Sequence, residues 1–129
     1  MYSIEKTEYG VKLIFKGFIK RDEIDKWYDE SMEFLKTLQP GFDIIVDMRD
    51  LKPLPRESQD TMNQGQMMYM QSGMRRAAVI LDNATTTMQF KRLGKEVGIL
   101  DKVYYLNASQ YDDWKKPAFK WLNEGEKSE

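Results

Sequence analysis

The sequence predicts a mixed α/β fold in which helices pack on a mostly parallel sheet. Residues 42–48 and 77–81 carry short, unbroken apolar runs, and the first includes Ile44, Ile45 and Val46 in succession. Such runs are typical of strands that are buried on both faces of a parallel sheet. Each run is followed by a segment in which apolar residues recur at helical spacing. Strands that alternate with helices in this way favour parallel pairing and right-handed crossovers.

The N-terminal segment predicts a β-hairpin that precedes the alternating part of the chain. Apolar and charged residues alternate along residues 11–18, which indicates a strand, and residues 3–8 resemble a more polar strand. Tyr9-Gly10 between them suits a tight turn. The predicted element order is therefore β-β-α-β-α-β-α-β-α.

Capping residues and breakers predict where the first two helices begin and end. Asp22, with Asp25 three residues later, is a candidate N-terminal cap of the first helix, and Pro40-Gly41 is its predicted end. The second helix is expected over residues 56–72, and Gly73 suits its C-terminus.

The last two helices follow the strands at residues 77–81 and 103–106. Asn83 or Thr85 can cap the third helix, and Gly98 closes it. A capping box at Ser109 and Asp112 suggests the start of the last helix. Pro117 interrupts its helical pattern, so we expect this helix to begin late or to kink.

Composition excludes several classes of function. The 129 residues include 20 basic and 21 acidic side chains, a net charge of −1, so no overall field attracts nucleic acid. The chain has no His and no Cys, which removes the commonest general acid–base and the ligands of zinc sites. No apolar run approaches the roughly 20 residues of a membrane span, and the N-terminus lacks the apolar core of a signal peptide. We therefore expect a cytoplasmic protein without an integral membrane segment and without a bound metal or cofactor.

The length favours one domain over residues 1–123, followed by a polar C-terminal tail at residues 124–129. No internal repeat, linker or low-complexity segment divides the chain.

Three segments resemble a known family. They are the strand IIVDMRDL at residues 44–51, the segment MQFKRLG at residues 88–94, and Trp121-Leu122. Together with the element order they resemble the SpoIIAA-like fold of STAS domains, which include bacterial anti-sigma-factor antagonists. The likeness is greatest to small stand-alone bacterial STAS-like proteins, and the architecture is related to that of CRAL-TRIO lipid-binding domains. The resemblance covers nearly the whole chain and implies the fold more strongly than a function.

The resemblance also implies a candidate switch residue. In the antagonists, a partner kinase phosphorylates a Ser at the start of the helix after this strand, within an Asp-Ser-Ser-Gly-like motif. Ser58 is the nearest match here, but its neighbours Arg56, Glu57 and Gln59 do not form that motif. We therefore predict that Ser58 is not a physiological kinase target.

A charged cluster follows the buried strand, at the edge of the sheet where ligands of α/β proteins gather. Asp47, Arg49 and Asp50 could anchor a polar ligand or a partner, because Arg offers a planar fork to carboxylates and phosphates. The simpler interpretation is an internal pair between Arg49 and a neighbouring carboxylate, with Asp47 ending the strand.

The second helix is unusually rich in methionine. Its candidate contact residues are Met62, Met67, Met68, Tyr69, Met70 and, just beyond its end, Met74. A single buried face cannot hold all of them, and Met suits surfaces that adapt to partners or apolar ligands. We expect contact with a protein partner, with an apolar ligand or with a second copy of the chain; side chains that simply lie on the surface are the alternative.

The function that these features favour is a non-enzymatic binding or regulatory module that acts through protein–protein contacts, as a homodimer or with another protein. The alternative is a carrier of a small apolar or lipid-like ligand in a CRAL-TRIO-like pocket. An enzyme is the least favoured class, because no pair of Asp, Glu, Lys or Tyr stands at a spacing typical of acid–base catalysis.

Overall fold

The protein is described by a computed structural model over residues 1–128. Its five strands form one sheet in the order β1-β2-β3-β4-β5. The strands are β1 (Tyr2–Lys6), β2 (Gly10–Phe15), β3 (Asp43–Asp47), β4 (Ala77–Leu81) and β5 (Val103–Asn107). The first pair is an antiparallel hairpin, and every later pair is parallel. The sheet therefore has the mixed, mostly parallel architecture that the sequence predicts.

The helices cover the two faces of the sheet unequally. They are α1 (Arg21–Leu35), α2 (Arg56–Gln71), α3 (Ala84–Val97) and α4 (Lys115–Glu124), and single 3-10 turns flank β5 at Leu100–Lys102 and Ala108–Gln110. Because α1, α2 and α3 each connect parallel neighbours that follow one another across the sheet, right-handed crossovers bring all three to one face. The last helix, α4, lies on the opposite face.

Alternate residues of β3, β4 and β5 serve two separate cores. The larger core joins one face of the sheet to α1, α2 and α3, with Trp27, Met62 and Phe90 as large buried members. The smaller core joins the other face, through residues such as Ile80, to Trp121 and its neighbours on α4. No helix within the described residues is long and apolar enough to cross a membrane.

Both arginines that precede β4 hold the end of α4 against the sheet. Arg75 binds Asp43 through Nε–Oδ1 at 2.9 Å and Nη2–Oδ2 at 2.5 Å. Arg75 and Arg76 also donate to the carbonyl oxygen of Leu122 at 2.8 and 3.0 Å. This carbonyl belongs to the last turn of α4, where an acceptor lacks an intrahelical donor.

The structure corrects several predicted element ends. The first helix begins after Lys20 without a side-chain cap, so the predicted capping box at Asp22 is wrong, and it ends at Leu35, before Pro40-Gly41. The last helix begins at Lys115, not near Ser109, because residues 108–110 form a separate 3-10 turn. Pro117 then falls in its first turn, where no intrahelical donor is lost.

Two other local expectations are confirmed. Asn83 caps α3, with its Oδ1 accepting the backbone N–H of Thr86 at 2.9 Å. Gly98 ends the same helix with a left-handed φ of 75°.

Candidate functional site

The candidate site lies at the carboxyl edge of the parallel strands. The loop after β2, the loop after β3 and the first half of α3 meet there. Gly17 donates to the carbonyl of Asp50 at 2.8 Å, and Lys52 donates to that of Gly17 at 3.0 Å, so the first two loops are paired. Gln89 on α3 accepts from the backbone N–H of Leu54 at 2.9 Å and donates to its carbonyl at 3.1 Å. These bonds fix the three segments as one surface.

Asp47 and Arg49 form an internal ion pair at this edge. Arg49 donates from Nε to Oδ1 at 3.0 Å and from Nη2 to Oδ2 at 2.9 Å, and its backbone N–H reaches Oδ1 at 3.2 Å. Asp47 is buried at the end of β3. Burial alone would raise the pKa of Asp47, but the hydrogen bonds and charge of Arg49, with Lys12 nearby, outweigh it and hold that pKa below its usual value. The geometry therefore shows an internal ion pair of Arg49 with a neighbouring carboxylate, which is the simpler interpretation of the charged cluster.

Arg49 also joins this edge to the start of α4. Its guanidinium lies over the ring of Trp114, 5.1 Å from the centroid, and Lys115 Nζ lies 6.0 Å from the same centroid. Such cation–aromatic contacts stabilise by about 0.5–1 kcal/mol at exposed sites. Asp50, by contrast, is exposed, and its charge adds to the field around Arg49.

Ser58 is fully buried in the first turn of α2. Its hydroxyl donates to the carbonyl of Ile19 at 3.2 Å and so connects α2 to the loop after β2. A phosphate cannot be placed on this oxygen while the turn stays packed. Ser58, which the resemblance marks as a candidate switch residue, thus connects two packed segments in this conformation.

The methionines on and just after α2 differ in burial, from fully buried to exposed. Met62, Tyr69 and Met74 are buried, and the Tyr69 hydroxyl donates to Ser31 at 2.8 Å. Met68 and Met70 are half-buried against the same core. Of the residues predicted to make contacts on this segment, only Met67 is exposed, at 39%.

The broad exposed methionine surface expected from the sequence is therefore absent from the described structure. The reason is tertiary, because α2 is the central helix of its layer. On one side Thr61 donates to Asp25 of α1 at 2.9 Å, and on the other Asn63 donates to Glu96 of α3 at 3.3 Å. Both flanks of α2 are thus covered by neighbouring helices.

An apolar cavity of about 50 Å³ lies between α2 and the sheet. Met62, Tyr69 and Met74 line it, together with Trp27 of α1 and Gln66, which is the polar member of the lining. Met62, Tyr69 and Met74, which the sequence offered as contact residues for a partner or a ligand, thus lie inside the molecule.

Two exposed apolar residues at the carboxyl edge were missed by the sequence analysis. Phe18 is 59% exposed and Met88 is 71% exposed. The predicted strand at residues 11–18 wrongly included Phe18, because β2 ends at Phe15 and Gly17, with φ at 71°, turns the chain away. For Met88 a signal existed, since it lies nearly opposite Phe90 around α3.

The part of the chain that the structure describes contains no group of three or more acidic, His or Cys side chains placed to hold a metal ion. Besides the Asp47–Arg49 pair, this edge carries the exposed carboxylates of Asp50 and Asp82, the exposed Lys52 and two exposed apolar side chains.

Comparisons with known proteins support the fold. No family model and no curated protein matches the chain. The crystal structure of an uncharacterized protein of the DUF3478 family with a SpoIIAA-like fold, from Shewanella loihica PV-4, matches with a TM-score of 0.64 and 14% sequence identity. The match covers 95% of this chain and 92% of that one. The protein therefore has a SpoIIAA-like fold, of the kind that STAS domains share, as the resemblance implies.

Proposed function

We propose that the protein is a non-enzymatic binding module whose partner is another protein, bound at the carboxyl edge of the sheet. The observation that carries this proposal is the pair of exposed apolar residues, Phe18 and Met88. They lie on the loop after β2 and on α3, and hydrogen bonds connect both of these segments to the loop after β3. We call the surface formed by Phe18, Asp50, Lys52, Pro53 and Met88 the rim.

The composition of the rim fits a protein partner. It combines two exposed apolar side chains with charged ones, and aromatic residues and Met are enriched at protein interfaces. Asp50 and Lys52 supply both signs of charge, so the rim has no strong preference for a polyanion or a membrane surface. Hydrogen bonds connect the loops, which lowers the ordering cost of binding.

The compartment we propose, on the sequence alone, is the cytoplasm.

The proposal is tested by removing the apolar part of the rim. In Phe18→Ser/Met88→Ser both side chains are exposed, so the fold should be kept. Met32→Ser/Met67→Ser is the matched control, because those side chains are 41% and 39% exposed on α1 and α2. Proteins captured from the native cells by wild type would be identified, purified and titrated against all three forms by calorimetry.

We expect at least a tenfold loss of affinity for the rim variant and none for the control, in line with interfaces in which a few apolar residues dominate. A partner that binds the rim variant and wild type equally well would refute the proposal. So would the absence of any partner that binds wild type in purified form.

A carrier of a small apolar ligand is a second candidate, and the cavity under α2 favours it. At about 50 Å³, this cavity is smaller than the roughly 150 Å³ void that admits benzene, so a larger ligand requires α2 to move outward. Native mass spectrometry of protein from its own cells tests this role. A bound small mass that disappears in Gln66→Leu/Met62→Phe, which would fill the cavity, supports the carrier, and an unliganded protein counts against it.

A further inference from the structure

The hairpin leaves the outer edge of β1 open. This strand pairs with β2 alone, and all five of its residues are half-buried or exposed, whereas Val103–Leu106 of the opposite edge strand are buried. The register from Tyr2↔Phe15 to Lys6↔Val11 is continuous, and β1 contains neither Pro nor a bulge. It therefore lacks most of the devices by which proteins protect an edge strand from pairing.

The hydrogen bonds of the hairpin show which backbone groups face outward. Met1 and Lys16 exchange both bonds, at 3.0 and 2.8 Å, and Thr7 and Gly10 do the same at 3.0 and 3.3 Å. Bonded pairs alternate with non-bonded pairs along an antiparallel ladder. Ser3 and Glu5 therefore also bond to β2, which leaves the N–H and C=O groups of Tyr2, Ile4 and Lys6 directed away from the sheet.

We propose that β1 pairs antiparallel with β1 of a second copy of this chain, about a two-fold axis through Ile4. In this register Ile4 faces the second copy's Ile4, and Tyr2 faces the second copy's Lys6. All three outward residues then fall in hydrogen-bonded pairs, so six backbone hydrogen bonds form. The two sheets join into one of ten strands, and the interface is isologous, as in most dimers.

The side chains fit this register. Tyr2 and Ile4 lie on the helical face and pack partly against the larger core, as does Phe34 of α1, so the axis is flanked by apolar surface. The second copy's Lys6 arrives beside Tyr2, where the carboxylates of Glu30 and Glu23 lie close. On the other face Glu5 meets Ser3, so no like charges are directly opposed.

This interface replaces the methionine helix that the sequence suggested for self-association. With both flanks of α2 covered, Met67 is a single exposed apolar side chain there and cannot supply a stable dimer by itself. The β1 interface does not depend on a partner at the rim, which lies at the carboxyl ends of the parallel strands.

Sedimentation over a wide concentration range tests the proposal with three variants of Ile4. Ile4→Pro removes one outward N–H at a site where an edge strand accepts Pro, and Ile4→Lys places two positive charges face to face at the axis. Ile4→Val is the matched control. We expect dimerisation to weaken at least about tenfold for Pro and for Lys, because both act at the centre of the contact, and to change little for Val.

Circular dichroism checks that each variant is folded, and Ile4→Lys keeps every hairpin hydrogen bond should Ile4→Pro fail to fold. A wild-type protein that is monomeric up to several hundred micromolar overturns the proposal. A dimer that neither Ile4→Pro nor Ile4→Lys weakens overturns it as well. If Met67→Glu/Met70→Glu dissociates such a dimer, the interface lies on α2 instead.

Engineered cysteines test the register, since the chain has no Cys of its own. Ser3→Cys protein mixed with Glu5→Cys protein should form a disulfide-linked heterodimer under mild oxidation, because these two positions face each other in a non-bonded pair. Each variant alone should cross-link several-fold less. Efficient cross-linking of Glu5→Cys alone would indicate a register shifted by two residues and would refute the axis at Ile4.

Discussion

Trp27 on α1 occupies the space that a side chain at position 65 of α2 would need. A Cβ added to Gly65 would overlap atoms Cζ3 and Cη2 of the indole. The ring is 2% exposed and lies between Phe15, in an edge-to-face contact, and Tyr69, stacked at 5.9 Å between centroids. Gly65 therefore sets how closely the two helices approach.

We predict that Gly65→Ala destabilises the protein by about 2 kcal/mol. Ala favours a helix over Gly by about 1 kcal/mol, but the overlap with a buried ring puts the cost of overpacking at the upper end of its usual range, about 3 kcal/mol. Urea unfolding measures the difference. Gln64→Ala, at the exposed neighbouring position, is the control and should change little. A stabilised Gly65→Ala protein would show that α1 and α2 can separate freely.

A second close approach joins Gly94 of α3 to Tyr105 of β5. A Cβ at position 94 would overlap the Tyr105 hydroxyl oxygen and would lie 3.2 Å from its Cζ. That hydroxyl is buried and has no hydrogen-bond partner within the described residues, and burial raises the pKa of Tyr105 well above its usual value.

We predict that Tyr105→Phe is neutral or stabilising, because an unsatisfied buried hydroxyl is removed. Gly94→Ala alone should destabilise by about 2 kcal/mol, and the double variant should be destabilised by clearly less than the sum of the two. A double-mutant cycle in urea measures this coupling, which for residues in contact is about 0.5–3 kcal/mol. Strict additivity would contradict the contact.

The Asp47–Arg49 pair predicts a specific dependence of stability on pH. The pKa of Asp47 is lower in the folded protein than its usual value of 3.8. The stabilisation that the ionised carboxylate gives the folded state is therefore fully present above that value. It is lost as the pH falls through the lower, folded pKa. Asp47→Asn should therefore cost about 1 kcal/mol, equally at pH 7 and pH 5. The difference from wild type should shrink below about pH 4.

Unfolding curves of both proteins at several pH values check this prediction. Asp50→Asn removes one negative charge from the same loop without breaking the pair, and it serves as the control. A difference between wild type and Asp47→Asn that grows as the pH is lowered would have the wrong sign.

Ser58 should be unmodified in protein taken from its native cells. Its hydroxyl is inaccessible, Glu57 directly precedes it, and Asp60 follows two residues later. Ser58→Ala should cost about 1 kcal/mol through the lost bond to Ile19, and Ser58→Asp about 3 kcal/mol or more, because it buries a charge without a partner. Phosphopeptide mapping is the direct measurement, and a substantial phosphorylated fraction would mean that the first turn of α2 opens in the cell.

The element order, the parallel sheet and the element ends that depend on local chemistry could be predicted from the sequence. The apolar runs in β3 and β4 identify buried strands, since both faces of these strands are covered. Asn83 and Gly98 mark the ends of α3, because a cap and a left-handed turn involve only neighbouring residues. The ion pair of Asp47 with Arg49 was also within reach, because the two are only two residues apart.

Which surfaces of the helices are exposed follows from the packing of distant segments. The methionines of α2 gave no indication that α1 and α3 would flank that helix, because the order of helices in a layer follows from the strand order of the whole sheet. Phe18 and Met88 are far apart in sequence, and their segments are connected at one edge of the sheet only through bonds such as that of Gln89 to Leu54. The contacts of Arg75 with Asp43 and Leu122 likewise span 32 and 47 residues. Contacts of this kind leave no periodic signal along the chain, so the sequence does not show which flanks of α2 its neighbouring helices cover.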